Sequence, residues 1–280
     1  MMGSQWDNFL QNLGEWHGSF TNISPQGEMV KDTPSILILE QLEDNKTVRL
    51  TLRRFPPSPD GITKPPADEL VRQYQSFGRD LLFFENGAFS QGPLQLSPTS
   101  PSGAEFGFIQ DNRRLRVVEL CNPEGNLQQF TLIREHRADT EKIEQPPLTV
   151  EMLLGTWHGV ATTLYPDLRP SDTLKTQMQL QLDNSGRLQQ QLSFGNQTIS
   201  SSAKIENSIL YFDESSQPIQ VFLLPDGASA TVPQKVQMRS PVFFEAGWLL
   251  SPTQRQRLIR RYNNKGEFES LTFVQEEKIS

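Results

Sequence analysis

The sequence predicts an all-β protein built of two tandem antiparallel β-barrels, each led by a short helix. Three observations predict it. The stretch LGEWHG at residues 13–18 returns as LGTWHG at residues 154–159. Apolar and polar residues alternate along most segments, which is the period of half-buried strands. Helical spacing is confined to a few residues ahead of each LG-x-WHG motif.

The repeat comes first, because it sets the domain count. Trp16 and Trp157 are 141 positions apart (157 − 16 = 141). At that offset RLRVVELCNPEGNLQQFTLIREHR, from Arg114, falls on RQRLIRRYNNKGEFESLTFVQEEK, from Arg255. After a one-residue gap FENGAFSQGP, from Phe84, falls on LPDGASATVP, from Leu224. Three blocks in one order describe a duplicated unit. The domains expected are 1–140 and 141–280. The linker is ADTEKIEQPPLT, residues 138–149, polar and ending near two prolines.

The elements of each unit follow in order. Trp6, Phe9, Leu10 and Leu13 have helical spacing, and Ser4 can cap them. VEMLL is a shorter version ahead of Trp157. In the first unit ILILE and VRLTLRRF read as strands. In the second, LKTQMQLQL sets Leu174, Met178, Leu180 and Leu182 on one face. RLQQQLSF continues with Leu188, Leu192 and Phe194, and DNSG between them signals a hairpin. The late hairpins turn at NPEGN and NNKGE. RRFPPSPDGITKPPADELVRQYQSF, residues 53–77, reads as the longest irregular stretch of the first unit, a lid or partner loop or a plain excursion. Many strands and little helix favour closing each sheet into a barrel, which removes its edges.

Composition excludes several functions. The net charge is −7, from 33 acidic and 26 basic residues, and the arginine pairs are short, so nucleic acid is not an expected partner. No stretch reaches the length of a membrane-spanning helix, and the start MMGSQWDNFLQNL lacks a signal-peptide pattern, so a cytoplasmic protein is expected. Cys121 is the one cysteine, read as a small core residue, and a reducing compartment suits it.

Gly14-x-Trp16 and Gly155-x-Trp157, each after a short helix, resemble the opening motif of the calycins: lipocalins, fatty-acid-binding proteins and their relatives. The resemblance implies a late-strand arginine packed across each tryptophan at the closed barrel end, and Arg116 and Arg257 are placed for it. LLGTWHGVATTLYPDL and RRYNNKGEF resemble nitrobindin-type sequences. The last hairpins resemble those of S-type phycobiliprotein lyases. The whole chain most resembles a cyanobacterial family of tandem calycin-like barrels. That implies a fold more than an activity.

Nitrobindins hold haem through a histidine late in the barrel. Here the histidines are His17, His136 and His158, none of them late in the second unit. Alternation turns His17 and His158 away from the tryptophan face, and His136 is expected to be exposed. No haem or metal site is therefore expected. No nucleophile elbow, P-loop or dinucleotide motif is present, so no catalytic residue is assigned.

One pattern suggests binding. Trp157, Gly159, Ala161, Thr163 and Tyr165 share a face, as do Arg257, Ile259 and Arg261. The first unit has Phe20 and Leu120 where the second has Ala161 and Arg261. The second barrel is expected to be roomier and more polar. The leading expectation is non-enzymatic carriage of a small hydrophobic ligand, such as a fatty acid or tetrapyrrole. Arg261 would pair its carboxylate, Tyr165 would donate to it, and Thr163 and Arg257 would line the site. The alternatives are a bilin-handling lyase or chaperone, and a protein-interaction module with filled barrels.

Overall fold

The computed structural model describes residues 4–56 and 65–279. Helix α1 (Gln5–Leu10) opens the chain, and Ser4 caps it in a reciprocal capping box with Asp7. Nine strands follow: β1 (Gly14–Ile23), β2 (Met29–Gln41), β3 (Val48–Arg54), β4 (Asp68–Tyr74), β5 (Leu81–Phe83), β6 (Phe89–Gln91), β7 (Ser102–Gln110), β8 (Arg113–Cys121) and β9 (Leu127–Arg137). They form one curled antiparallel sheet in the order β4-β3-β2-β1-β9-β8-β7-β6-β5. Helix α2 (Val150–Leu153) begins the second half. Ten strands follow it: β10 (Gly155–Leu164), β11 (Asp172–Leu182), β12 (Leu188–Phe194), β13 (Gln197–Glu206), β14 (Ile209–Phe212), β15 (Ile219–Leu223), β16 (Ala228–Pro233), β17 (Val242–Ser251), β18 (Gln254–Tyr262) and β19 (Phe268–Lys278). These close into a barrel, β10 pairing with β19.

One expectation needs correction. The segment 53–77 is not irregular throughout. Once past Pro66, the alternating DELVRQY is free of proline and pairs with β3 as β4, while 57–64 lie outside the described residues. Leu174 and Leu182 share the face of Met178 and Leu180, but only the latter two are buried. The first half is a curled half-barrel, its end strands β4 and β5 unpaired with each other among the described residues, and with the closed second barrel it makes the expected tandem pair.

The gap between β4 and β5 is managed by α1. The Gln5 amide accepts from the Phe83 N–H at 2.7 Å and donates to the Phe83 carbonyl at 3.0 Å, so one side chain acts as a strand partner for β5. Asn8 donates to the same carbonyl at 3.1 Å. Phe9, Phe77 and Phe83 meet beside it at tilted and edge-to-face angles, with Trp6 stacked on Phe77 and Tyr74 edge-on to Phe9. In the second barrel the corresponding gap is filled by β14, paired to β13 and β15.

The largest apolar core lies between the two halves. Phe106, Phe108, Leu115, Val117 and Phe130 of the first sheet pack on Phe222, Ala230, Phe244, Ala246 and Trp248 of the second. By strand parity these are outward positions, opposite in sense to Trp16 and Trp157. Polar contacts fix the register of the halves. Arg113 pairs with Asp226, whose carboxylate also accepts from the Gln145 N–H. Arg260 and Tyr262, both fully buried, donate to the carbonyls of Gly92 and Pro93.

Candidate functional site

Each LG-x-WHG motif builds the base of its half. Gly14 and Gly155 hold φ of +123° and +121°, which L side chains rarely adopt. Trp16 and Trp157 follow, each 0% exposed. Each indole N–H donates at 2.9 Å to a carbonyl four residues back, of Asn12 or Leu153. The second glycine makes room for a buried carboxylate. A Cβ on Gly18 would stand 2.8 Å from Glu135 Cγ, and one on Gly159 2.9 Å from Glu276 Cγ.

That carboxylate organises two arginines. Glu135 accepts from Arg114 Nε at 2.7 Å and from Arg116 at 3.1 and 3.0 Å, and Arg116 reaches Glu105 at 2.9 Å. Glu276 accepts from Arg255 at 2.7 Å and from Arg257 at 3.0 and 2.9 Å, and Arg257 reaches Glu245 at 3.1 Å. Each cluster thus holds two cations and two anions. Burial alone would raise the Glu135 and Glu276 carboxyls. The paired guanidiniums outweigh it and hold both down at about 2.

The cation across each tryptophan is therefore not the one expected. The Arg114 guanidinium lies 4.5 Å from the Trp16 ring centre and that of Arg255 4.7 Å from Trp157. Arg116 and Arg257 stand one inward step further from the base, bound to their glutamates. Parity alone could not separate them. The register does, because Arg114 is the first inward residue of β8 and pairs with Glu135, itself opposite Gly18. Each ring also meets a second cation, Arg137 at 4.2 Å from Trp16 and Lys278 at 5.1 Å from Trp157.

The expected ligand residues are not gathered together. Arg257 belongs to the base cluster. Thr163 shares a hydrogen bond with Thr272 at 2.9 Å. Tyr165 lies beyond the end of β10, its hydroxyl donating to Asp172 and the Arg169 guanidinium over its ring. Arg261 shares the inward parity of Arg257 but stands exposed at the far end of β18, near the mouth. Inward side chains across that mouth are also open, Leu174 at 38% and Ile199 at 51% exposure.

The histidines divide. His158 is exposed, and His17 meets Glu15 at 2.6 Å on the outer face. His136 is half-buried rather than exposed, because β9 sets it directly opposite His17, with ring centres 6.1 Å apart. Burial, and then His17, lower its pKa. Among the described residues no group of three or more His, Cys, Asp or Glu is placed to hold a metal ion. Cys121 is buried in the core between the halves, where burial pushes its thiol up to about 12. Sequence reasoning missed Glu119, two residues before it. Glu119 is 1% exposed, with no side-chain partner for either oxygen and the Thr231 backbone beside its carboxyl. Burial and then Glu245 push its carboxyl well above the usual range.

A cleft of about 830 Å³ lies on the outer surface of the second barrel. Its lining comes in runs of three from β11, β10, β19 and β18, with Ser193 and Phe194 of β12 and Gly195 of the turn after it. In each run of three the flanking residues point outward and the middle one points into the barrel, so the floor is the outer face of the sheet. Gln110 of the first sheet and Leu250 and Ile279 of the second half border it. Among the described residues no helix is long and apolar enough to cross a membrane.

Residues 2–140 match the family model described as domain of unknown function DUF3598, N-terminal. Residues 144–279 match that of biogenesis factor required for ATP synthase 1, C-terminal domain. A crystal structure of a DUF3598-family protein of unknown function from Nostoc punctiforme is 52% identical. The match covers 99% of this chain and 100% of that one, with a TM-score of 0.93. The chain belongs to the DUF3598 family. Among curated proteins none matches it. The S-type phycobiliprotein lyase of Guillardia theta is 12% identical over 47% of this chain and 90% of that one, with a TM-score of 0.36. A putative outer membrane protein of Bacteroides fragilis is 8% identical over 97% and 99%, with a TM-score of 0.28. Scores so low bear on neither the fold nor the function of this DUF3598 protein.

Proposed function

We propose that this DUF3598 protein is a non-catalytic, protein-binding assembly factor, with ATP synthase subunits as the first partners to test. One observation carries the reading. A cleft of about 830 Å³ lies on the outside of the second barrel, while the base of each interior is taken up by its tryptophan and ion cluster. The matched residues 144–279 contain nearly all of that surface, and the description of that family model names a biogenesis factor. The charge-neutral base clusters offer no free nucleophile or general acid, which also favours binding over catalysis. The test uses the full chain, immobilised, against purified subunits of the soluble sector of ATP synthase by interferometry. Micromolar or tighter binding to one subunit, or to a partial assembly, is expected. Failure of every subunit and subassembly to bind overturns the reading.

A second reading keeps the small hydrophobic ligand, a fatty acid or a tetrapyrrole such as a bilin, in the second barrel. The exposed inward Leu174 and Ile199, facing a mouth that also carries Arg261, favour it. Native mass spectrometry with an organic extract of the same sample tests it. An adduct above the mass of the chain is expected, and an Arg261→Leu variant should lose an acidic one. A cytoplasmic location is part of both readings.

A further inference from the structure

We propose that the outer cleft of the second barrel binds an extended, uncharged peptide segment of a protein partner, with a partner N–H donating to Gln256 Oε1. This rests on the protein-binding reading and names the surface and the chemistry that would serve it. The floor is dominated by side-chain amides: Gln177, Gln254, Gln256 and Gln275 all line it. Each amide carries two donors and an acceptor without charge, the same complement a peptide backbone presents.

Gln256 decides the donor. It lines the cleft, is only 4% exposed, and its Oε1 is buried with no partner, so a ligand N–H reaches that oxygen once the amide turns toward the cleft. A buried acceptor left unpaired in this way is uncommon, and a ligand N–H would satisfy it. A peptide supplies one at every residue except proline. The charges on the floor cancel, Lys175 against Glu277, and no arginine side chain points outward into it, so nothing selects a phosphate or an acidic tail. Val160, 47% exposed, and Ile279, 56% exposed, offer contact for one or two apolar side chains of the segment.

The test pans a linear twelve-residue phage-displayed peptide library on the immobilised full chain. Enriched peptides are resynthesised and titrated by calorimetry against the parent protein and two variants. Val160→Glu alters an exposed side chain and leaves the core untouched. Gln256→Leu keeps the bulk and removes the orphan acceptor. Binding at least tenfold weaker to both, with unchanged thermal melts, is expected. If Gln256→Leu does not fold, Val160→Glu decides alone. No enriched peptide, or equal affinity for parent and Val160→Glu, overturns the proposal. The same variants are run against the ATP synthase subunits. Subunits that bind parent and variants equally sink the cleft and leave the assembly reading standing. Peptides that bind the cleft while every subunit fails do the reverse.

Discussion

The two halves of this protein agree at the base and disagree along the wall. Trp16 and Trp157, their cations, and the clusters around Glu135 and Glu276 superpose residue for residue, with hydrogen bonds equal to within about 0.2 Å. Yet one half has ten strands closed by hydrogen bonds, and the other has nine with a gap plugged by Gln5, Asn8 and a group of aromatic rings. The difference teaches where each constraint lies. A buried charge cluster is satisfied only as a set, so its members change together or not at all. A sheet edge can be satisfied by a strand or by one amide side chain, so the wall is free to diverge.

The largest effect should come from breaking the shared part. Glu135→Gln and Glu276→Gln each leave one buried guanidinium, Arg114 or Arg255, with no carboxylate, and the next, Arg116 or Arg257, with Glu105 or Glu245 alone. Each should cost about 3–5 kcal/mol in denaturant unfolding. The two costs should be equal within error if the clusters are true equivalents. The pH dependence of the parent follows from the same groups. Both carboxyls are held at about 2 in the folded state, below the ordinary 4.5. Their contribution is therefore complete above about pH 4.5 and is lost as pH falls toward 2. A parent whose melting temperature is flat from pH 5 to pH 2.5 would sink this assignment.

The next pair should separate the halves. A Cβ on Gly18 would sit 2.0 Å from the Arg134 backbone carbonyl, which cannot yield without moving β9. On Gly159 the nearest atom is the Thr176 hydroxyl oxygen, at 2.5 Å, on a side chain that can rotate. Gly18→Ala should therefore cost about 2–3 kcal/mol and Gly159→Ala about 1–2, within the usual range for overpacking. Thermal melts of the two variants check the order, and a reversed order would show that the first wall is the more pliable.

A third change touches the first half alone. Gln5→Ala removes the group paired with both polar atoms of Phe83. Asn8 still donates to the carbonyl, so the N–H is the one orphaned. A loss of about 1–2 kcal/mol is expected. Hydrogen exchange should speed up at the Phe83 amide, with none of the β14 amides affected.

Much of this was legible in the sequence, and the illegible remainder has definite causes. The duplicated unit, the Ser4 cap and the late hairpins were readable, because LG-x-WHG, the capping serine and the NPEGN and NNKGE turns are local signals. Trp16 and Trp157 were placed inward by the resemblance to the calycin opening motif, and alternation then assigned the faces of their neighbours. The arginine facing each ring was misplaced by two residues, since alternation fixes the face of a strand and not its register. The exposure of His136 was misjudged for the same reason, its neighbour across the sheet being 119 positions away in the chain (136 − 17 = 119). The core between the halves was missed altogether. Its signal was there in VFFEAGWLL and LRVVEL, where apolar residues fall on both faces of a strand, as they do when both faces are buried. The outer cleft had no sequence signal beyond its glutamines, which read equally as solvated surface.

The smallest expected effect is also the sharpest comparison. In the second barrel Arg255 Nη2 donates to Met178 Sδ at 3.3 Å. The position equivalent to Met178 in the first half is Leu37, and there Arg114 Nη2 is buried with no partner. A thioether is a weak acceptor, but a weak one is better than none for a guanidinium that is sealed from water. Leu and Met are close in volume, so the swap costs little in packing. Leu37→Met should stabilise the protein by roughly 0.5 kcal/mol, and Met178→Leu should destabilise it by a similar amount, against the background cost of a volume-conserving swap. The double variant should return close to the parent, because the two sites lie in different halves and share no partner. If both single changes destabilise alike, then packing rather than the sulfur distinguishes the two bases, and Leu37 is simply the better-fitted side chain in its own half.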